Sequence, residues 1–396
     1  MTDVILPIEV GLIVAGELDE VDSQAVVQVK QELERDFAQA FPQFGWKVEL
    51  IWRRELAREN PIEPMPLIDI AREERDGRDW DFVFVVVAAD LRTHYKPFAF
   101  AAVSRAMDTA VISTVRIDPR MEDPSARSEI RIESVSRRLL VLIRQAFGQI
   151  NSLESSDSRN IMGEIHTVAD LDALADAGWT EGQNQELAQV LELIADQRLE
   201  EASEGRRKGT IAFYLKSSWM NRHEIADAVV KARPWEFPVR LNRLTTAAFS
   251  TSLILMITAE TWELAIQQTA ASLACLAVTA ILATTAYVTQ RQQLLVRRER
   301  RISEQSVITN VSAVGIVLAG MTTMFAVTFA LVGSVSGLLF YARVIRHWAA
   351  VNVVAWSDYL SLGVFVASFA VIVGALGASF EEHQYFRHIT FVDEEI

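Results

Sequence analysis

One cysteine, Cys275, occurs in the 396 residues. That excludes a disulfide framework and any zinc site built on several thiolates. Basic residues are the scarcer charge: 38 Lys and Arg stand against 52 Asp and Glu, for a formal net charge of −14. A chain this acidic is not expected to bind nucleic acid, because neutralising phosphates needs a basic surface. The six histidines are His94, His166, His223, His347, His383 and His388, and no two stand four residues apart. The helical His pair that clamps catalytic zinc is therefore missing. A Walker loop, a dinucleotide fingerprint and a G-x-S-x-G nucleophile motif are missing too. The first residues, MTDVILPIEV, lack the basic flank of a signal peptide and read as a buried strand.

What the sequence has in excess is apolar. Half of its residues are hydrophobic and only 23% are charged, more apolar than a soluble domain and suggestive of membrane spans. Four apolar segments, 241–259, 266–289, 307–341 and 359–380, approach or exceed the roughly 20 residues that cross a bilayer. The third has no proline and is expected to be one helix. Lys231, Arg233, Arg240 and Arg243 precede the first segment, and Arg291, Arg297, Arg298, Arg300 and Arg301 lie between the second and third. By the positive-inside rule this predicts a multi-pass cell-membrane protein with its N-terminal domain and C-terminal tail in the cytoplasm, Arg343 and Arg346 being exceptions. The basic segment 291–301 is expected to meet either the acidic N-terminal domain, the preferred reading, or lipid. The third and fourth segments carry no ionisable residue in their middles but offer Ser312, Thr322, Thr323, Thr328, Ser334, Ser336 and Gly333-x-x-x-Gly337. Small residues so spaced predict helix packing or a homo-oligomer, with a hydroxyl-lined pore as the alternative. Trp348, Trp356 and Tyr359 are expected to form an interfacial aromatic belt.

Residues 1–165 form a different kind of domain. Ile5–Val14, Trp46–Trp52, Asp81–Ala88 and Ala110–Ile117 read as strands, with helices over Asp22–Ala40 and Ser128–Ile150. The order β-α-β-β-β-α predicts a mixed sheet with one helix behind it and a long helix beneath. Three stretches then resemble the central sheet of archaemetzincin-type zincin metalloproteases: Asp90-Leu91, Pro97-Phe98-Ala99-Phe100-Ala101, and Ala110-Val111-Ile112-Ser113-Thr114-Val115-Arg116. In that family the next helix carries H-E-x-x-H-x-x-G-x-x-H/D, followed by a methionine turn. Here the matching run is Gln145-Ala146-Phe147-Gly148-Gln149-Ile150-Asn151-Ser152-Leu153-Glu154-Ser155, then Asn160-Ile161-Met162. The resemblance covers less than half of the chain and implies an α+β zincin-like domain with a long pseudo-active-site helix, followed by an all-α transmembrane domain of about four helices.

The same resemblance puts Gln145, Gln149 and Ser155 at the three ligand positions, Ala146 at the general-base position and Ser152 at the turn glycine. Amide and hydroxyl oxygens are poor zinc ligands beside imidazole, and alanine accepts no proton. No cofactor is expected, and Gln145, Ala146, Gln149, Ser155 and Met162 are expected to line a catalytically inert pseudo-site cleft. His94 and His166 flank it in sequence and are expected on the surface.

Residues 166–240 read as a helical linker, with helices over Val168–Ala177 and Glu181–Glu201, a basic hinge at 204–209 and a stiff Pro234–Pro238 connection. Residues 381–396 read as a solvated acidic tail, which disfavours a metal site at His383 and His388. The function expected is that of a membrane protein with an inactive metalloprotease-like sensor or partner-binding domain. A regulated oligomeric channel or transporter is the alternative, and a hydrolase with an unrecognised metal site the weakest. The expected partners are the lipid bilayer, a peptide or protein in the cleft, and further copies of the chain.

Overall fold

The computed structural model describes residues 6–56, 59–121, 123–156, 160–203, 218–219, 222–295, 304–349, 353–380 and 383–396. The chain divides into two compact units, residues 1–207 with Phe391–Ile396, and Lys208–Thr390. The expected hinge at 204–209 and most of the basic segment 291–301 lie outside the described residues.

The first unit is built on a six-stranded sheet: β1 (Leu6–Ala15), β2 (Phe44–Arg53), β3 (Phe82–Val87), β4 (Ala101–Ser104), β5 (Thr109–Ser113) and β6 (Glu394–Glu395). The strand order is β2-β1-β3-β5-β4-β6. β1, β2, β3 and β5 run parallel, while β4 is antiparallel to both β5 and β6. Every residue of β3 is buried, as a strand covered on both faces requires. One cover is α1 (Glu20–Ala40) with α3 (Ser128–Ile150), and the other is α2 (Pro64–Arg78).

The helix α2 is absent from the expected order. Its segment, PMPLIDIAREERDGR, holds two prolines and a dense run of charge, which mask the apolar side formed by Met65, Leu67, Ile68 and Ala71. Pro64 and Pro66 are tolerated because they fall in the first turn, where N–H groups have no intrahelical partner. On the same sheet face Gly11 leaves room for Trp80. A Cβ at Gly11 would lie 2.0 Å from that indole ring.

On the other face, Ala25, Val29, Leu33 and Phe37 of α1 meet Val135, Leu139, Leu142, Ile143, Phe147 and Ile150 of α3 and the alternate residues of the sheet in one core. Phe147 sits at its centre, with ring centroids 4.6 Å from Phe37, 5.1 Å from Phe82 and 6.1 Å from Trp46. Burying such a ring contributes about 1.5–3 kcal/mol. The expected boundary at 165 falls inside this core. Leu171 of α4 (Val168–Leu174) and Leu187, Leu191 and Ala195 of α5 (Glu181–Ser203) are buried in it, so the first part of the expected linker completes the domain. The C-terminal residues do not form the expected solvated acidic tail. Phe391, Val392, Glu395 and Ile396 are buried, and β6 closes the sheet beside β4.

The second unit is helical. Among the described residues three helices are long and apolar enough to cross a membrane: Ala270–Arg291, Val307–Leu339 and Trp356–Ala378. A fourth exists if the bent pair Asn242–Met256 and Ala259–Gln267 is one span. The 87° bend falls at the expected end of the first span, and the stretch between the first two expected spans is the helix Ala259–Gln267 rather than a loop. At the break Trp262 Nε1 donates to Met256 O at 3.0 Å and Thr258 Oγ1 to Ile254 O at 2.7 Å, satisfying carbonyls freed from the helix. Glu304–Leu339 is one unbroken helix, in keeping with its lack of proline.

Close approach of helices in this unit does not use Gly333 and Gly337, since nothing lies within 4 Å of a Cβ built on either. It uses Gly374 and Gly377, where a Cβ would meet Leu244 O at 3.2 Å and Arg243 O at 2.7 Å. The hydroxyls of Thr322, Thr323, Ser336 and Ser368 donate to carbonyls three or four residues back in their own helices. Trp356 is exposed, as an interfacial aromatic would be, whereas Trp348 packs 5.7 Å from Phe340.

Candidate functional site

The second half of α3 and the turn after it hold the residues singled out by sequence. Asn151 ends the helix, and its Nδ2 donates to Phe147 O at 2.8 Å. Ser152 follows at φ 73°, Ser152 N donates to Gln149 O at 3.1 Å and Leu153 N to Gly148 O at 2.9 Å. This is the paired hydrogen-bond pattern of a Schellman C-cap, whose left-handed position normally takes glycine. The turn expected at Ser152 is thus formed, by a residue that pays for it in backbone strain.

Gly148 explains how the methionine reaches the helix. A Cβ there would lie 2.5 Å from Met162 Sδ and 3.3 Å from Trp179 Nε1, so glycine lets the fully buried Met162 pack directly against the helix backbone. Asn160 Oδ1 accepts from Met162 N at 2.9 Å, and Ser156 N donates to Met162 O at 2.9 Å, which fixes the methionine turn.

Gln145, Gln149 and Ser155, the residues expected at ligand positions, are gathered here but engaged with protein. Gln145 Nε2 donates to Gly163 O at 2.6 Å. Gln149 Nε2 donates to Ser155 Oγ at 3.0 Å, and Ser155 Oγ donates onward to Glu394 Oε1 at 3.2 Å. Both glutamines are 1% exposed, so they lie beneath the surface rather than on an open cleft floor. Their Oε1 atoms are buried with no hydrogen-bond partner among the described residues. Ala146 is fully buried in the core. The donor set facing a metal would be two amide oxygens and a hydroxyl already committed to a carboxylate. This does not fit zinc, which takes imidazole, thiolate or carboxylate.

Of the flanking histidines, His166 is exposed and its Nε2 lies 3.1 Å from Glu164 Oε2. His94 departs from its expected surface placement. It is half-buried, with Nε2 3.3 Å from Glu63 Oε2.

Two constellations have no clear signal in the sequence. At the start of α3, Asp19, Asp22 and Asp118 bring carboxylate oxygens within 4.8 Å of one another, the kind of cluster that could hold a cation. Arg131 takes that place, with Nη2 at 2.9 Å from Asp19 Oδ2 and 2.6 Å from Asp118 Oδ2, and Arg120 Nη2 lies 2.7 Å from Asp19. Burial alone would push the Asp118 carboxyl up, but hydrogen bonds from Arg131 and Arg120 more than reverse this and hold it at about 2. Asp22 goes the other way: burial raises its pKa, while Thr114 Oγ1 donates to its Oδ2 at 2.7 Å. Two turns on, Arg138 holds both oxygens of Asp172 at 2.7 and 2.6 Å and so ties α3 to α4. These groups are spread over four segments, and no local spacing marks them.

The second constellation surrounds Glu395, which is 2% exposed. Its Oε1 accepts from His94 N at 2.8 Å and its Oε2 from Tyr95 N and Lys96 N, both at 3.0 Å. Three consecutive backbone N–H groups converging on one carboxylate form an anion nest. Its only trace in the sequence was the acidic run Asp393-Glu394-Glu395, which reads more simply as solvated.

No family model matches the chain, and no curated protein does. Among solved structures the chain is similar to archaemetzincin from Methanopyrus kandleri, 18% identical over 47% of this chain and 96% of that one, with a TM-score of 0.37. A zinc-dependent peptidase from Methanocorpusculum labreanum is 13% identical over 45% of this chain and 99% of its own, with a TM-score of 0.36. Archaemetzincin from Archaeoglobus fulgidus complexed with malonate is 12% identical over the same shares, with a TM-score of 0.30.

Proposed function

We propose that the protein is an integral membrane protein whose N-terminal unit has a metalloprotease-like fold and acts as a non-catalytic peptide- or partner-binding module. One observation carries this reading. Gln145, Gln149 and Ser155 hold the ligand positions and are hydrogen-bonded to Gly163, to each other and to Glu394, while the general-base position is the buried Ala146. Polarising a peptide carbonyl and activating water need a metal or a base, and this set supplies neither. What the site retains is a short strand, β4, beside polar side chains, the setting in which an extended peptide is bound by main-chain pairing.

The second unit anchors the module. Leu253, Ile254, Val278, Leu282 and Leu338 are exposed on its helices, a placement favourable only beside lipid or another apolar surface. A homo-oligomer is the companion reading, favoured by the open space around Gly333 and Gly337. A hydroxyl-lined pore is disfavoured, because Thr322, Thr323 and Ser336 spend their protons on their own helices.

Hydrolysis is the test. The full-length protein in detergent is incubated with a quenched-fluorescent peptide library, with and without added zinc. No zinc-dependent turnover is expected, and turnover that a chelator abolishes overturns the non-catalytic reading.

A further inference from the structure

The outer edge of β4 is covered by residues that lie nearly 300 positions further along the chain, and every side chain there has a receiver. The backbone pairs first. Asp393 N donates to Val103 O at 2.9 Å, Ile396 N donates to Ala101 O at 2.8 Å, and Ile396 O accepts from Phe100 N at 2.6 Å. Asp393 Oδ2 accepts from Arg105 N at 2.7 Å. Glu394 Oε1 accepts from Ser155 Oγ, and Glu395 fills the nest of His94, Tyr95 and Lys96. Ile396 is buried in the main core.

Blunting a sheet edge does not require this. Edges are ordinarily protected by a lysine, a proline or a bulge. A buried glutamate is costly unless its oxygens are satisfied, and without that glutamate three N–H groups of the 94–96 loop would lose their acceptor. Loop and carboxylate are therefore matched, as a binding site is matched to its ligand. The paired ladder, by contrast, is only two residues long, Ala102 with Glu395 and Val103 with Glu394. β6 is the last strand of the sheet, so its release leaves the pairing of β1, β2, β3 and β5 in place.

We propose that β4, Ser155 and the 94–96 loop form a recognition groove for an extended acidic peptide of the pattern Asp-Glu-Glu-aliphatic. The chain's own Asp393–Ile396 is the resident ligand, and the groove exchanges it for a second segment of the same pattern supplied in trans. This rests on the reading of the N-terminal unit as a binding module. It names the ligand class and makes Ser155, at the third ligand position, a ligand contact. Attached to the same chain, the resident segment competes at an effective concentration on the order of millimolar, so an external peptide meets a largely closed groove.

The test uses the chain truncated after Phe391, membrane unit included and held in detergent, titrated with fluorescein-labelled, amidated Phe-Val-Asp-Glu-Glu-Ile and followed by anisotropy. Saturable binding is expected, at least roughly tenfold tighter than to the intact chain, whose own segment competes. A peptide with lysine at the position of Glu395 is expected to bind at least roughly tenfold more weakly, because the nest accepts only an anion. A folded truncated chain that shows no saturable binding, or that binds both peptides equally, overturns the proposal.

Where the truncation fails to fold, Glu395→Gln in the intact chain replaces it, read by hydrogen exchange. Amides of residues 94–96, 100 and 101 are expected to exchange at least roughly tenfold faster, and unchanged protection overturns the proposal. A truncated chain that binds the peptide and also cleaves it with zinc keeps the groove and sinks the non-catalytic reading. One that neither binds nor cleaves sinks the groove alone.

Discussion

The two ends of α3 are held by opposite chemistry. Its first turns are locked by charge, with Arg131 between Asp19 and Asp118 and Arg138 on Asp172. Its last turns carry the neutral amides of Gln145 and Gln149, each with one arm hydrogen-bonded and one buried oxygen unmatched. The charged end therefore has the character of a scaffold, in which each group depends on the next. The neutral end holds the positions where chemistry would be placed, with residues that hydrogen-bond but neither titrate near neutrality nor bind zinc well. The helix joins an end locked by ion pairs to one that carries neutral amides.

The largest expected effect breaks the charged end. Arg131→Met leaves Asp118 buried at 5% exposure without its main partner and is expected to cost about 3–5 kcal/mol, read as a lowered unfolding midpoint of the N-terminal unit. Acid should narrow that difference. The Asp118 carboxyl is held at about 2 against an ordinary 3.8. Its pairing therefore contributes fully above the ordinary value and is lost as pH falls through the folded one. Thermal midpoints of the two proteins are expected to converge between about pH 4 and pH 2, and a constant gap would show that Asp118 is not the source.

A smaller effect sits at the turn between the two ends. Ser152 occupies a left-handed conformation at φ 73°, so Ser152→Gly is expected to raise stability by about 1 kcal/mol, seen as a higher midpoint. The smallest effect belongs to the neutral end. Gln149→Met keeps the volume and removes a buried oxygen that has no partner among the described residues, while Ser155 keeps Glu394. A change within about 1 kcal/mol is expected. A loss as large as that of Arg131→Met would erase the contrast between the ends.

Much of this frame is legible in the sequence. The 3.6-residue periodicity of α1 and α3 and the apolar run of β3 follow directly from burial, and so do the landmarks Phe147, Gly148 and Met162. What escapes is structure made by polar groups. The helix α2 hides its buried side because Arg75, 5% exposed, reaches Asp108 Oδ2 at 2.6 Å and Met107 O at 2.8 Å. A buried ion pair and a solvated one look alike in sequence. The nest around Glu395 is made of backbone N–H groups, which every residue but proline has, so no side-chain pattern announces it. Hydropathy marks the end of the first apolar segment near Ile257, but not the helix Ala259–Gln267 that follows it, tied back by Trp262 to Met256 O.

Whether the neutral end of α3 holds a catalytic metal is decided by the metal content of purified full-length protein, measured by plasma mass spectrometry after exhaustive buffer exchange. Zinc near zero per chain, unchanged by Gln145→Ala, is expected. Stoichiometric zinc that is lost in Gln145→Ala or Gln149→Ala would contradict this.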